Sequence, residues 1–405
     1  MPARPLHHRS SNSFRTAFAG LAGGPGIALA CALCTALACG EPGEAAPKTG
    51  AKDDGKVAVK DDGKGEGKAP EAPAPVEAEP YAWELPQGLR APPVPEDNPM
   101  TAAKVELGHK LFMDKRLSTD GTRSCYSCHQ NELGNADGRA KALGPGDKEL
   151  ARNTPTIWNV AYHAGLYWDG RAASLEKQAI GAWKGGNMGV GEDKLAAKAA
   201  EIGALPEYKA EFARVFALKD GDPVLPDHVV KALSAYERTL LCGATAWDKN
   251  SMNEAQQRGW ELFRGKGACT TCHTGDNFSD GLYHKMGVGL SDAGEGTDKG
   301  RMDASKDQAD LYKFRTPTLR NVTRTAPYFH DGSVAELRAA VVTMAGGPKQ
   351  RTGLDPNYAD RGLTDAEVDD LVAFLGALEC PGSLAVIGDQ AVPGITSPLA
   401  AAPAK

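Results

Sequence analysis

Basic residues are in short supply. Only 46 lysines and arginines face 52 aspartates and glutamates in the 405 residues, a net charge of −6. A nucleic-acid backbone needs a basic face, so nucleic acid is excluded as the partner. Long apolar runs are scarce as well. The one that exists covers residues 16–38, which excludes a multipass membrane protein. Aromatics are 6% of the chain, and no convincing run of alternating strands is found. Apolar residues still make up 41%, enough for real cores, and the length suits two or three domains.

The N-terminus has the layout of a secretory signal. Arg4, Arg9 and Arg15 come first, no acidic residue precedes Glu41, and no twin-arginine pair is present. The apolar run ends in Ala36-Leu37-Ala38-Cys39 followed by Gly40, like a bacterial lipobox with Ala36 where leucine is usual. Lipid attachment at Cys39 and plain cleavage after a small residue both stay open. Gly24-Pro25 weakens a third option, a retained anchor. Residues 1–39 therefore read as a signal. Residues 40–99 read as a disordered tether, rich in Ala, Pro, Gly and charge, with the pentapeptide KDDGK at Lys52–Lys56 and again at Lys60–Lys64. Residues 383–405 read as a flexible tail.

Of nine cysteines, Cys31, Cys34 and Cys39 belong to the signal. Four more form Cys125-Tyr-Ser-Cys128-His129 and Cys269-Thr-Thr-Cys272-His273. Cys-x-x-Cys-His is the attachment site of c-type haem: two thiols add to the vinyl groups and the histidine lands beneath the iron. Zinc would need two further Cys or His at short spacing, and neither motif has them. Two covalent haems c are expected. Cys242 and Cys380 each follow a helical stretch. In an oxidising compartment they either pair or stay as two separate buried thiols.

An internal repeat organises residues 102 to 380. Thr154–Leu175 aligns without a gap on Thr316–Leu337, 162 positions on. A Leu-Phe run precedes each haem motif, and an amphipathic helix closes each copy. The first closing helix has Asp227 as its cap, and the second has a Thr364–Glu367 capping box. The fold class is all-α: two tandem c-type cytochrome domains related by duplication, over 100–245 and 250–382.

The copies differ where chemistry would happen. Met344 follows His273 at the start of a Gly-rich stretch, and its place in the first copy is taken by Ala182. An electron-transfer haem often has His and Met ligands. So His273 and Met344 are expected on one iron, and His129 alone on the other, leaving its far side open. Met344 as a core residue is the plain alternative, and Met188 is a rival ligand for the first haem. Trp168 lies where the second copy has His330. It is either an aromatic between the haems or a core residue.

The blocks LGHKLFMDKRLS before Cys125, RNTPTIWN at Arg152–Asn159, YWDGRAASLEKQA at Tyr167–Ala179 and FRTPTLRNV…APYFHDGSVAEL before Met344 resemble the bacterial dihaem cytochrome c peroxidases, over about residues 102–380. The resemblance implies periplasmic reduction of hydrogen peroxide to water. Electrons would come from a small cytochrome c or cupredoxin and pass from the haem of His273 and Met344 to that of His129. It implies Trp168 between the haems, Gln178 facing the distal pocket, and a tendency to form homodimers. It also implies calcium between the domains, held by the side chain of Asn153 and the backbone carbonyls of Thr325 and Pro327, hard oxygen ligands of the kind calcium takes.

Two departures matter. Asn187 stands where the family has a distal glutamate, in a stretch one residue short, and asparagine cannot relay a proton. Glu192, Asp193 and His163 are nearby substitutes, or else ordinary loop residues. Gly144-Pro145-Gly146 occupies the place of a histidine that in many members caps the resting peroxidatic iron. His163 is then the other sixth ligand to consider. Two further functions compete: a dihaem electron carrier or redox sensor with a lapsed pocket, which Asn187 favours, and a MauG-like oxidase of a partner protein, which Met344 opposes because that group has tyrosine there.

Overall fold

The computed structural model describes residues 80–347 and 353–381. The signal, the lipobox at Cys39, the tether up to residue 79 and the tail lie outside the described residues. The part of the tether that is described, 80–99, is a correction. Its backbone is irregular but packed. Tyr81 N–H donates to the Met100 carbonyl at 3.1 Å and Ala244 N–H to the Gln87 carbonyl at 2.7 Å. Asn98 is fully buried, donating to Glu176 at 2.8 Å and accepting from Lys104 at 3.0 Å. Polar composition suggested solvent, yet these groups find partners in the folded body and stay with it.

The described chain is mostly helical, with two cytochrome-type domains. The first contains α1 (Ala102–Met113), α2 (Leu175–Lys184), α3 (Leu195–Gly203), α4 (Pro206–Phe216) and α5 (Pro226–Glu237). The second contains α6 (Glu254–Arg264), the short α7 (Met302–Ser305), α8 (Leu337–Ala345) and α9 (Asp365–Gly376). Sheet among the described residues is limited to β1 (Tyr283–His284) against β2 (Phe314–Arg315), antiparallel.

The helices begin where their first backbone N–H groups are satisfied. Thr101 and Ser174 accept from the N–H of Lys104 and Lys177, and Asn253–Gln256 and Thr364–Glu367 form capping boxes. Helix α5 starts before the cap expected at Asp227. Pro226 is its first residue, with φ already fixed for a helix and no N–H to satisfy. Asp227 lies in the first turn and pairs with Lys231 at 2.9 Å.

Two helix crossings set the cores. Helix α1 lies on α5, where Leu107, Leu111 and Phe112 are buried with Tyr236. Helix α6 lies on α9, where Phe263, Phe374 and Leu375 pack with Trp247 and Trp260. Both crossings depend on a glycine. A Cβ on Gly108 would lie 1.9 Å from the Ala232 carbonyl oxygen, and one on Gly259 would lie 1.9 Å from that of Asp370.

The ends of the two closing helices are held alike. Asn159 donates its N–H to the Leu240 carbonyl at 2.8 Å and accepts from Cys242 N–H at 2.7 Å. Asn321 donates to the Leu378 carbonyl at 3.0 Å and accepts from Cys380 N–H at 3.2 Å. Both asparagines adopt the left-handed backbone, which Asn tolerates best after Gly. Cys242 and Cys380 form a disulfide with Cα atoms 5.4 Å apart.

Gly108→Ala is expected to force α1 off α5 and cost about 1–3 kcal/mol. Gly376→Ala, at a helical site with no atom within 4 Å of the new Cβ, is expected to be neutral or to stabilise by about 0.5–1 kcal/mol. Thermal midpoints of the haem-loaded proteins check both.

Candidate dihaem site

Each Cys-x-x-Cys-His motif folds as a single tight turn, Cys125–Ser127 and Cys269–Thr271, with the histidine N–H returning to the first cysteine's carbonyl at 3.1 and 2.9 Å. In the second motif the turn brings both thiols and the imidazole to one cavity. His129 Nδ1 lies 3.0 Å from the Asn135 carbonyl and His273 Nδ1 lies 3.0 Å from that of Phe278. A carbonyl only accepts, so Nδ1 carries the proton in both rings and Nε2 keeps its lone pair for a metal. Burial lowers the pKa of both histidines, which favours the neutral, ligating form. Burial also raises the thiols, Cys128 and Cys269 to about 11. None of the four is in a disulfide.

Around the second motif the residues enclose a largely apolar cavity. Cys269, Cys272, His273 and Met344 line it, with Phe263, Val341, Leu371 and Leu375 as its wall. Two thiols, an imidazole with a free Nε2 and a thioether, all facing one apolar space, fit a haem c with two axial ligands. Cys272 also lies near Asp280 and His284. His284 Nε2 is 2.9 Å from Asp280 and its Nδ1 2.5 Å from Asp355, so those carboxylates are engaged by the histidine.

The same cavity reaches the first domain, and here the expected residues gather. Asn153, Trp168, Thr325 and Pro327 all line it. Trp168 is buried, and its indole N–H donates to the Asn153 carbonyl at 2.9 Å. Arg315 of β2 donates its backbone N–H to the Trp168 carbonyl at 2.8 Å. Asn153 takes a further bond from each domain: its N–H donates to the His330 carbonyl at 2.8 Å and its side-chain amide to the Arg139 carbonyl at 2.8 Å. The side-chain oxygen of Asn153 takes part in none of these bonds, which fits a hard-cation ligand. His330 stacks on Phe314 with centroids 3.6 Å apart.

Gln178, Asn187 and the first motif do not line this cavity. Gln178 is half-buried on α2, and its carbonyl accepts from the Tyr167 hydroxyl at 3.0 Å. Asn187 is half-buried in the turn after α2, and Met188 is buried in the first core, the cluster against which Cys125 packs. Glu192 is exposed and bonded to Lys184 at 2.5 Å, and Asp193 is exposed too. His163 lines the His273 cavity. Its ring is held by Arg315 at 3.1 Å and Asn277 at 3.3 Å, and burial with the Arg315 charge holds it well below its ordinary pKa.

Sequence reasoning missed the ion-pair seam between the domains. Arg152 donates to Asp169 at 2.7 Å and forks onto Asp298 at 2.6 and 2.8 Å. Burial works against the Asp298 carboxylate, but hydrogen bonds from Arg152 and the Gly300 N–H outweigh it and hold the group below the ordinary carboxylate range. The sequence carried no signal for this, since Arg152 and Asp298 are 146 positions apart.

Arg152→Met leaves Asp298 without its cation, while Asp169 keeps Arg171 at 3.0 Å, and is expected to cost about 2–3 kcal/mol. Because the folded pKa of Asp298 is depressed, its stabilisation is fully present above the unfolded value near ~4. It is lost as pH falls through the folded value. Urea unfolding of wild type and variant between neutral pH and pH 3 should show this acid-side loss in the wild type and a smaller one in the variant.

A family model for di-haem cytochrome c peroxidase matches residues 102–256, and one for cytochrome c matches 256–379. The chain is 38% identical over 343 residues to the cytochrome-c peroxidase IdrP1 of Denitromonas iodatirespirans, covering 76% of this chain and 89% of that one. It is 36% identical to the cytochrome c551 peroxidase of Pseudomonas aeruginosa, with 71% and 83% covered. It is 34% identical to the methylamine utilization protein MauG of Methylorubrum extorquens, with 71% and 81% covered. Among solved structures, a MauG-like protein associated with microbial copper homeostasis superposes with a TM-score of 0.69 at 32% identity, covering 79% of this chain and 99% of that one.

Proposed function

Because this chain belongs to the di-haem cytochrome c peroxidase family, we propose that it reduces hydrogen peroxide to water with electrons from a small cytochrome c or cupredoxin. It is a cytochrome-c peroxidase. The observation that carries the rest is an asymmetry. Helix α8 presents Met344 to the cavity of His273, whereas α2, beginning 162 positions earlier, has Ala182 at the matching place. Cys125, Cys128 and His129 hold one haem; Cys269, Cys272, His273 and Met344 hold the other. When bound, the first supplies the iron that meets peroxide and the second, with two protein ligands, the iron that exchanges electrons with the donor.

The protein's own groups do the positioning. The carbonyls of Asn135 and Phe278 orient the two imidazoles. Trp168, tied to Asn153 and Arg315, offers an aromatic ring at the wall between the sites. Asn153, Thr325 and Pro327 are the proposed calcium ligands. Export to the periplasm and lipid attachment at Cys39 are further parts of the proposal, supported by the basic start, the apolar run and the Cys242–Cys380 disulfide, which suits an oxidising compartment. Pairing into a homodimer and origin by duplication complete it. The duplication is supported by the matched crossings at Gly108 and Gly259 and the matched clamps at Asn159 and Asn321.

The test is steady-state oxidation of a reduced small cytochrome c or cupredoxin by the haem-loaded protein. Two donor equivalents should be consumed per peroxide; donor oxidation that does not depend on peroxide would overturn the reading. Met344→Ala should remove the low-spin Met-ligated spectrum, lower that haem's potential and slow turnover with the donor by at least about tenfold. Chelation with EGTA should lower the rate, and added calcium should restore it.

A further inference from the structure

Arg315 of β2 is a buried guanidinium that no carboxylate answers among the described residues. It is 6% exposed and lines the His273 cavity. Its hydrogen bonds go to neutral groups. Nε donates to the Tyr167 carbonyl at 3.3 Å, and Nη1 reaches the His163 ring at 3.1 Å and the Thr316 carbonyl at 3.2 Å. Nη2 takes part in none of these bonds. The acidic group that acts on Arg315 is the phenol of Tyr283, and burial pulls the guanidinium down to about 10.

The repeat sharpens the contrast. Arg315 lies 162 positions after Asn153, one residue before the matched stretches. Each sends its backbone N–H across the joint at 2.8 Å, Asn153 to the His330 carbonyl and Arg315 to the Trp168 carbonyl. Trp168 and His330 are themselves a matched pair. The two residues therefore hold equivalent places on either side of the joint, one neutral and one charged. Arg152, also in this seam, has Asp169 and Asp298 for its charge. Arg315 has no such partner, and a buried cation left that way is costly. The cavity itself does not supply one. Asp355, the carboxylate that lines it, is engaged by His284 at 2.5 Å.

A haem brings its own anions. Its vinyl groups are taken by the two thiols, and its two propionates stay carboxylates. We propose that Arg315 is the counter-ion of a propionate on the haem of His273 and ties that haem to the Trp168 wall of the first domain. Arginine suits the task, being always charged and more weakly hydrated than lysine. Its backbone N–H and Nε fix it to Trp168 and Tyr167, and Nη2 keeps two N–H donors for the carboxylate. The inference rests on the second motif holding haem, not on peroxide turnover.

The experiment compares wild type with Arg315→Gln and Arg315→Lys, each carrying two covalent haems, with no peroxide present. A positive charge beside a propionate favours the reduced iron. The glutamine variant should therefore lose about tenfold in the equilibrium constant for reducing the low-spin haem, ~59 mV for one electron. The lysine variant should keep most of it, because the charge remains. The propionate-bending band in the resonance Raman spectrum of that haem should move in both variants, since neither side chain reproduces the guanidinium's donors. A wild-type potential in the glutamine variant, or a wild-type band in either variant, overturns the proposal. So does a wild-type protein whose potential follows chloride concentration at constant ionic strength, the mark of a free anion at Arg315. If the glutamine variant does not mature with two haems, the band of the lysine variant decides. A wild type that does not reduce peroxide overturns the peroxidase reading and leaves this anchor standing.

Discussion

Asn153 makes three hydrogen bonds, and through them the two domains share one wall. Its backbone N–H reaches His330, its carbonyl holds the indole of Trp168, and its amide reaches Arg139. Each partner is a backbone group or a rigid ring, so little freedom is left at the joint. Next to it Arg152 bridges Asp169 and Asp298. These bonds hold Trp168 against the His273 cavity, and any exchange of electrons between the two halves depends on that wall keeping its geometry.

Much of this was legible in the chain. Cys-x-x-Cys-His is a local code, because three ligating groups within five residues need only one turn to converge. The capping box at Thr364–Glu367 is equally local. The gapless match of residues 154–175 with 316–337 ends where α2 and α8 begin, at Leu175 and Leu337, although the match itself named no helix there. What stayed hidden depends on contacts remote in sequence. Residues 80–99 read as solvated because their composition is polar, and nothing local says that Lys104 and Glu176 wait for Asn98. His163 was weighed as a ligand for the first haem, and nothing near it in sequence says that Arg315, from β2 in the other domain, holds its ring.

Polar burial in this protein falls into two kinds. Arg320 is almost fully buried, yet its guanidinium meets both oxygens of Asp248 at 2.7 and 2.8 Å, so the charge is answered in full. Asn159 and Asn321 are likewise saturated by the backbone they clamp. These groups fix structure. Glu237 and Arg238 are different, because each keeps atoms without a partner.

The Cys242–Cys380 disulfide joins the ends of the two closing helices. A chain pinned there cannot let its halves diffuse apart when the seam at Asn153 and Arg152 opens. Reclosure then becomes an intramolecular event, governed by an effective local concentration rather than by the strength of the seam itself. The joint can therefore be as polar as Asn153, Arg152 and Asp298 make it without the halves being lost to one another.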